Sequence, residues 1–270
     1  MPFIEEDTVE PDNEALNYVK SKLTTNYISL EGYSTSDLQL RFLLDRYIIK
    51  ADTTEENLRK ELLNSFKFQV YTILSKITGR SVIVLLYKED FSRFVLYDID
   101  SEKIKLICDI KSLDELIEHL KIVIPLKRRS ITKDFREKGY LKDIDKIFRD
   151  KEHPWPPNID LLILNKSLEP KVILEFTKTN KTNIIEHELR KYYKEDVNRW
   201  KAIKALSDTI KTPVKIVIWA EESNLKKWGI KGHSVKVTTV NEIIDNSNNR
   251  NQIYNIMDIE DFVKTINQGD

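Results

Sequence analysis

The sequence predicts an α/β protein with a buried sheet, on three observations. Short, strongly apolar runs such as IDLLIL (159–164), KVILEF (171–176) and VKIVIWA (214–220) have the length and β-branched content of core strands. A long amphipathic helical pattern lies between the second and third of these runs. Three further strand-like runs precede them, separated by short polar turns.

In chain order, residues 1–15 are acidic and contain Pro2 and Pro11, which suits a flexible lead-in. A helical pattern spans Thr54 to Lys76. Leu58, Leu62, Phe66, Val70 and Ile73 form its apolar stripe, Thr54 is its N-cap and Gly79 its stop. SVIVLLY (81–87), RFVLYDI (93–99) and KIKLICDI (103–110) predict an antiparallel meander. SLDELIEHLKIV (112–123) opens with a capping box, Ser112 with Glu115.

The basic, proline-containing PLKRRSITK (125–133) is a boundary candidate. It divides the chain into an N-terminal α+β domain (helix, antiparallel meander, helix), residues 16–124, and an α/β domain, residues 130–270. A helix is expected from Lys133 to Arg149. HPWPP (153–157) excludes helix. The turn NKSLEP joins the strands at 159–164 and 171–176, and a helix follows from Ile184 to Leu206 behind the cap Asn183. SVKVTTV (234–240) is a weaker strand and IMDIEDFVKTI (256–266) a closing helix. No internal repeat is visible in the sequence.

Composition narrows the function classes. The chain carries 44 Lys+Arg against 44 Asp+Glu, 33% charged and 40% hydrophobic residues, which fits a folded domain rather than a disordered one. No run of about 18 apolar residues occurs, so no membrane span is expected. The acidic start lacks a signal-peptide pattern. The single cysteine, Cys108, rules out an internal disulfide and a cysteine-built zinc site, and makes a cytoplasmic location the expectation. Six glycines leave little material for a phosphate loop. Zero net charge argues against tight, non-specific coating of nucleic acid. Local basic segments at 127–129 and 189–194, with Lys201 and Lys204, still permit a basic groove.

Two acids stand where strands should be apolar: Asp160 begins IDLLIL and Glu175 lies near the end of KVILEF. A carboxylate buried in a strand is costly unless paired or metal-bound. Acids on neighbouring strands could share a hard cation, Mg²⁺ or Mn²⁺. Strand alternation puts Thr177 on the face of Glu175, where it could orient that side chain or a metal-bound water, and Lys178 on the other face. Arg190 and Lys194 share a helix face downstream, and Lys191 lies between them. Taken singly, Asp160 could be a strand-entry cap, Glu175 a partner of Lys171 or Lys178, and Lys194 a solvated residue paired with Glu195 or Asp196.

PPNIDLLILNKSLEPKVILEFTK resembles the PD-(D/E)xK nuclease superfamily, with an acid on one strand and an acid-x-lysine on the next. Thr177 occupies the usual lysine position. EFTKTNKTNI with a lysine on the following helix is similar to the cap-snatching endonucleases of bunyavirus polymerases, the phlebovirus branch above all. The match covers roughly residues 155–200, and PPNID departs from the family's PD by placing Asn158 after the proline.

The resemblance implies a restriction-endonuclease-like mixed sheet flanked by helices and a metal-dependent endonuclease acting on DNA or RNA. It implies Asp160 and Glu175 as ligands of Mg²⁺ or Mn²⁺, and Lys194 as the catalytic lysine, with Lys191 and Lys178 as rivals. His153 or His119 would be an upstream metal ligand. Arg190, Lys191 and Trp155 are candidates for contacting nucleic acid, and Glu137 is a candidate extra acid. A homodimer or a larger nucleoprotein assembly is an open expectation. The alternative is a catalytically inactive nucleic-acid-binding or assembly protein on the same fold. A second acid-x-lysine, Asp109-Ile110-Lys111, follows Asp98 and Asp100, but those two acids flank a tight turn, where Asp is expected for local hydrogen bonding, and Asp109 lies at a strand end just before the helix that Ser112 opens.

Overall fold

The computed structural model describes residues 2–7, 13–34, 39–101, 103–123, 144, 148, 156–187, 197–230, 232–239 and 255–268. In chain order the elements are β1 (Ile4–Glu6), α1 (Glu14–Lys22), β2 (Tyr27–Ser34), β3 (Leu40–Ile49), α2 (Glu55–Asn64), α3 (Phe66–Thr78), β4 (Val82–Tyr87), β5 (Phe94–Asp100), β6 (Lys103–Ile110) and α4 (Leu113–Val123). They continue with β7 (Asn158–Leu164), β8 (Pro170–Lys178), α5 (Val197–Ile210), β9 (Val214–Trp219), α6 (Glu222–Lys227), β10 (Ser234–Thr239), β11 (Asn255–Asp258) and α7 (Ile259–Asn267).

The described strands form one mixed sheet of eleven, ordered β11-β10-β9-β8-β7-β2-β3-β4-β5-β6, with β1 beside β3. The β3–β4 and β8–β9 pairs are parallel and the others antiparallel. The α/β class is therefore observed. The β2–β7 pair joins the two halves of the chain into a single sheet. The boundary expected at 125–133 lies outside the described residues.

One apolar cluster lines one face of the sheet from β5 to β9. It runs from Leu43, Val84 and Leu86 through Val70 and Leu74 of α3 to Ile173, Ile216, Trp200, Ile203 and Leu206. Two smaller clusters cover the opposite face. One packs α1 and α7 on β7–β10, and the other includes Leu116, Ile117 and Leu120 of α4 with β3–β6.

Several local expectations change. The helix expected over 54–76 is two helices, because Ser65 is extended (φ −75, ψ 147). Residues 4–6 of the expected lead-in pair with β3 at Ile49, Ile48 and Tyr47. The expected closing helix begins as strand β11 before α7. The helix expected from Ile184 is a turn at 184–186, held by Asn183 Oδ1 accepting from the Ile185 N–H at 3.0 Å. Residues 188–196 of the expected helix lie outside the described residues, and the described helix begins at Val197.

The two halves share a connection scheme that the sequence hides. In each, an antiparallel pair (β2–β3, β7–β8) leads through helices on the same face to a strand parallel to its second member (β4, β9). Two further antiparallel strands and a helix follow (β5, β6, α4; β10, β11, α7), with α6 between β9 and β10 as an element of the C-terminal half that has no counterpart between β4 and β5. Both parallel ladders contain six pairs, Leu43↔Val82 to Ile48↔Tyr87 and Ile173↔Val214 to Lys178↔Trp219. Asp45 and Glu175 both occupy the third pair.

Candidate metal centre

Asp160 and Glu175 come together. The β7–β8 ladder reaches Leu161↔Leu174, and the two acids stand one step beyond that pair. The next main-chain donors bond to side chains. The Asp160 N–H donates to Glu175 Oε1 (3.2 Å), and the Phe176 N–H donates to Asp160 Oδ2 (2.7 Å). Each carboxylate therefore holds the other's strand.

A bulge aims Asp160. Between β2 and β7 the register passes from Leu30↔Ile159 to Ile28↔Leu162, which leaves an extra residue on β7. The Ser29 hydroxyl donates to the Asp160 carbonyl at 2.6 Å, and Asn158 Nδ2 donates to Asp160 Oδ1 at 2.9 Å. Ile159 joins the α5-side cluster, and Asp160 reaches α5 through Arg199.

Arg199, in the first described turn of α5, bridges both acids. Its Nη2 lies 2.6 Å from Glu175 Oε2 and 3.2 Å from both Asp160 oxygens, and its Nε donates to Glu175 Oε2 at 3.2 Å. Both carboxylate side chains are 0% exposed, whereas Arg199 keeps 21%. Burial pushes the Glu175 carboxyl well above the usual range. The Asp160 charge adds to that, and Arg199 opposes it.

Sequence reasoning missed Arg199, although a signal existed. Arg199, Ile203, Leu206 and Ile210 are spaced i, i+4, i+7, i+11, so a charged residue lies on the line of the helix's apolar stripe.

Thr177 follows Glu175 on β8 and is half-buried. Lys178 points elsewhere, pairing with Glu221 at 2.6 Å over the Trp219 ring. Lys194, Arg190, Lys191, His153, Trp155 and Glu137 lie outside the described residues. His119 sits on α4, whose sheet neighbour β6 is separated from β7 by β5, β4, β3 and β2. The rival acid-x-lysine has structural partners: Arg93 Nε and Nη2 grip Asp109 at 2.9 and 2.6 Å, and Asp100 accepts from Ser75 at 3.4 Å.

Among the described residues, no group of three or more His, Cys, Asp and Glu converges. The Asp160–Glu175 pair offers only oxygen donors. This suits Mg²⁺ or Mn²⁺, which commonly bind through one or two carboxylates and retain waters.

At the position equivalent to Glu175, Asp45 meets Lys67 of α3 at 3.0 Å and accepts from the Tyr71 hydroxyl. Glu6 also reaches Lys67, at 3.1 Å. Counting from Glu31↔Leu44, Leu30 stands opposite Asp45, where the C-terminal half has Asp160.

No family model and no curated protein matches the chain. Among solved structures, the sex pheromone staph-cAM373 precursor aligns over 94% of this chain and 84% of its own, at 10% identity and a TM-score of 0.21. That likeness carries no argument. No helix among the described residues is long and apolar enough to cross a membrane.

Proposed function

We propose that the chain is a divalent-metal-dependent endonuclease, hydrolysing phosphodiester bonds in DNA or RNA on a restriction-endonuclease-like core. One observation carries this reading: two fully buried carboxylates on adjacent strands converge on a single guanidinium. The order acid strand, acid strand, helix is the order that the sequence resemblance implies, and it supports the reading.

Asp160 and Glu175 hold Mg²⁺ or Mn²⁺. When bound, such an ion supplies an activated water and neutralises charge growing on the phosphate. The reciprocal main-chain bonds fix both carboxylates before substrate arrives. Thr177 supports Glu175 from the same strand. Arg199 brings positive charge to the site, and Lys194 adds more from the segment before α5. His153 as a third ligand, and Trp155, Arg190 and Lys191 as nucleic-acid contacts, belong to the same proposal, as do a cytoplasmic location and a nucleoprotein or dimeric assembly.

Cleavage of matched single- and double-stranded RNA and DNA, with Mn²⁺, Mg²⁺ or EDTA, tests the proposal. The wild type should cut only with metal. Glu175→Ala and Asp160→Asn should keep their circular dichroism and lose cleavage. Metal-dependent cutting that survives in Glu175→Ala overturns the assignment.

A second reading rests on the same triad. Arg199 and main-chain donors already satisfy both acids, which fits a non-catalytic nucleic-acid-binding or assembly protein. A Mn²⁺-dependent rise in melting temperature favours the enzyme, and its absence favours the scaffold.

A further inference from the structure

Arg199 and a divalent ion need the same oxygen atoms. Its Nη2 bonds Glu175 Oε2 at 2.6 Å and touches both Asp160 oxygens at 3.2 Å. A Mg²⁺ ion binds its ligand oxygens at about 2.0–2.1 Å and requires their lone pairs. The guanidinium and the ion therefore exclude each other. Two further Asp160 and Glu175 oxygen contacts, from Phe176 N–H and Asp160 N–H, come from the sheet backbone and need not move.

Arg199 is also the member of the triad built to leave. It alone retains solvent contact, at 21% against 0% for each acid. The packing of α5 on the sheet rests on Trp200, Ile203 and Leu206 rather than on Arg199, whose guanidinium lies over the Trp200 ring with its centre 5.8 Å from the ring centroid. The N-terminal half provides an internal contrast. There the equivalent cation, Lys67, is 5% exposed, and Leu30 replaces the first acid.

We propose that Arg199 is an exchangeable resident cation: it fills the Asp160–Glu175 site in the metal-free chain, and a divalent ion binds only as the guanidinium swings out. The inference rests on the metal-site reading above. It makes apparent metal affinity the intrinsic affinity scaled by the fraction of chains with Arg199 displaced. It also predicts one such site per chain, because Asp45 lacks a second buried acid opposite it.

The test is titration calorimetry of the full chain with Mn²⁺, comparing wild type, Arg199→Met and Arg199→Lys. Arg199→Met should bind Mn²⁺ at least about tenfold tighter than wild type, Arg199→Lys should fall between, and each should bind one ion. Lys67→Met should leave the affinity unchanged. If wild type binds Mn²⁺ and cuts nucleic acid while Arg199→Met binds no tighter, the exchange is wrong and the nuclease proposal stands. If neither binds Mn²⁺, the metal-site reading falls and takes the exchange with it.

Should Arg199→Met fail to fold, the wild-type spectrum gives the answer, with Arg199→Lys used for assignment. The Arg199 Nε–H resonance, assigned by its loss in Arg199→Lys, should shift and exchange faster with water on Mg²⁺ saturation. A resonance unmoved by saturating Mg²⁺ overturns the exchange.

Discussion

Glu175 couples the candidate site to pH. Its carboxyl titrates above the ordinary glutamate value of 4.5, chiefly because it is buried and secondly because Asp160 is near. The unfolded chain releases this proton near the ordinary value, while the folded pair retains it, so in that window the folded state binds more protons. Stability therefore falls as pH rises from 4.5 toward the raised value. Glu175→Gln removes the titration. With EDTA present, its melting temperature should decline less than the wild type's over that window, and equal slopes would remove Glu175 as the cause. His187 acts in the opposite sense. Burial, helped by Lys236, lowers its imidazole to about 4, so it costs stability as pH falls from 6.5 toward that value. His187→Gln should flatten the acid limb of the same melting curve. The two acids were legible because carboxylates are rare in apolar strands. Arg199 was not, because its sequence neighbourhood, KEDVNRWK, looks like a solvated charged face until the opposing acids are known.

At the scale of elements, strand runs were easier to read than helix boundaries. The runs at 81–87, 159–164 and 214–220 became β4, β7 and β9 with ends shifted by a residue or so, because a continuous apolar run has few other uses. The pattern across 54–76 misled because Leu58, Leu62, Phe66 and Val70 keep a four-residue step through the break. Ser65 makes that break. Its hydroxyl donates to the Leu62 carbonyl at 2.7 Å and accepts from the Phe68 N–H at 3.2 Å, which ends α2 and caps α3. The new helix then starts where Lys67 meets Asp45. Ser65→Ala should lower unfolding free energy by about 1 kcal/mol, read as a lower urea midpoint with an unchanged slope. An unchanged midpoint would show that packing alone sets the break.

Among the described residues, one strand scheme occurs twice and is joined through the β2–β7 pair. The sequence shows no internal repeat that would announce it. Core positions constrain chiefly volume and polarity, so one strand scheme can be built from two unlike sequences. Fusion has a mechanical consequence. The largest cluster runs unbroken from β4 to β9, and at the β2–β7 joint a Cβ on Gly32 would meet Ile159 at 3.1 Å, so the halves are closely packed there. They should therefore melt as one unit. All four tryptophans, Trp155, Trp200, Trp219 and Trp228, lie in the C-terminal half of the sequence, so fluorescence reports chiefly on that half and, through Trp200, on the shared cluster. Leu86→Ala opens a cavity in β4, far from every tryptophan in sequence, and should cost about 2–5 kcal/mol. The tryptophan and far-ultraviolet circular dichroism midpoints should fall together in that variant. A fluorescence midpoint that stays at the wild-type value while the dichroism midpoint drops would mean that the β2–β7 pair joins the halves in space without coupling their stability.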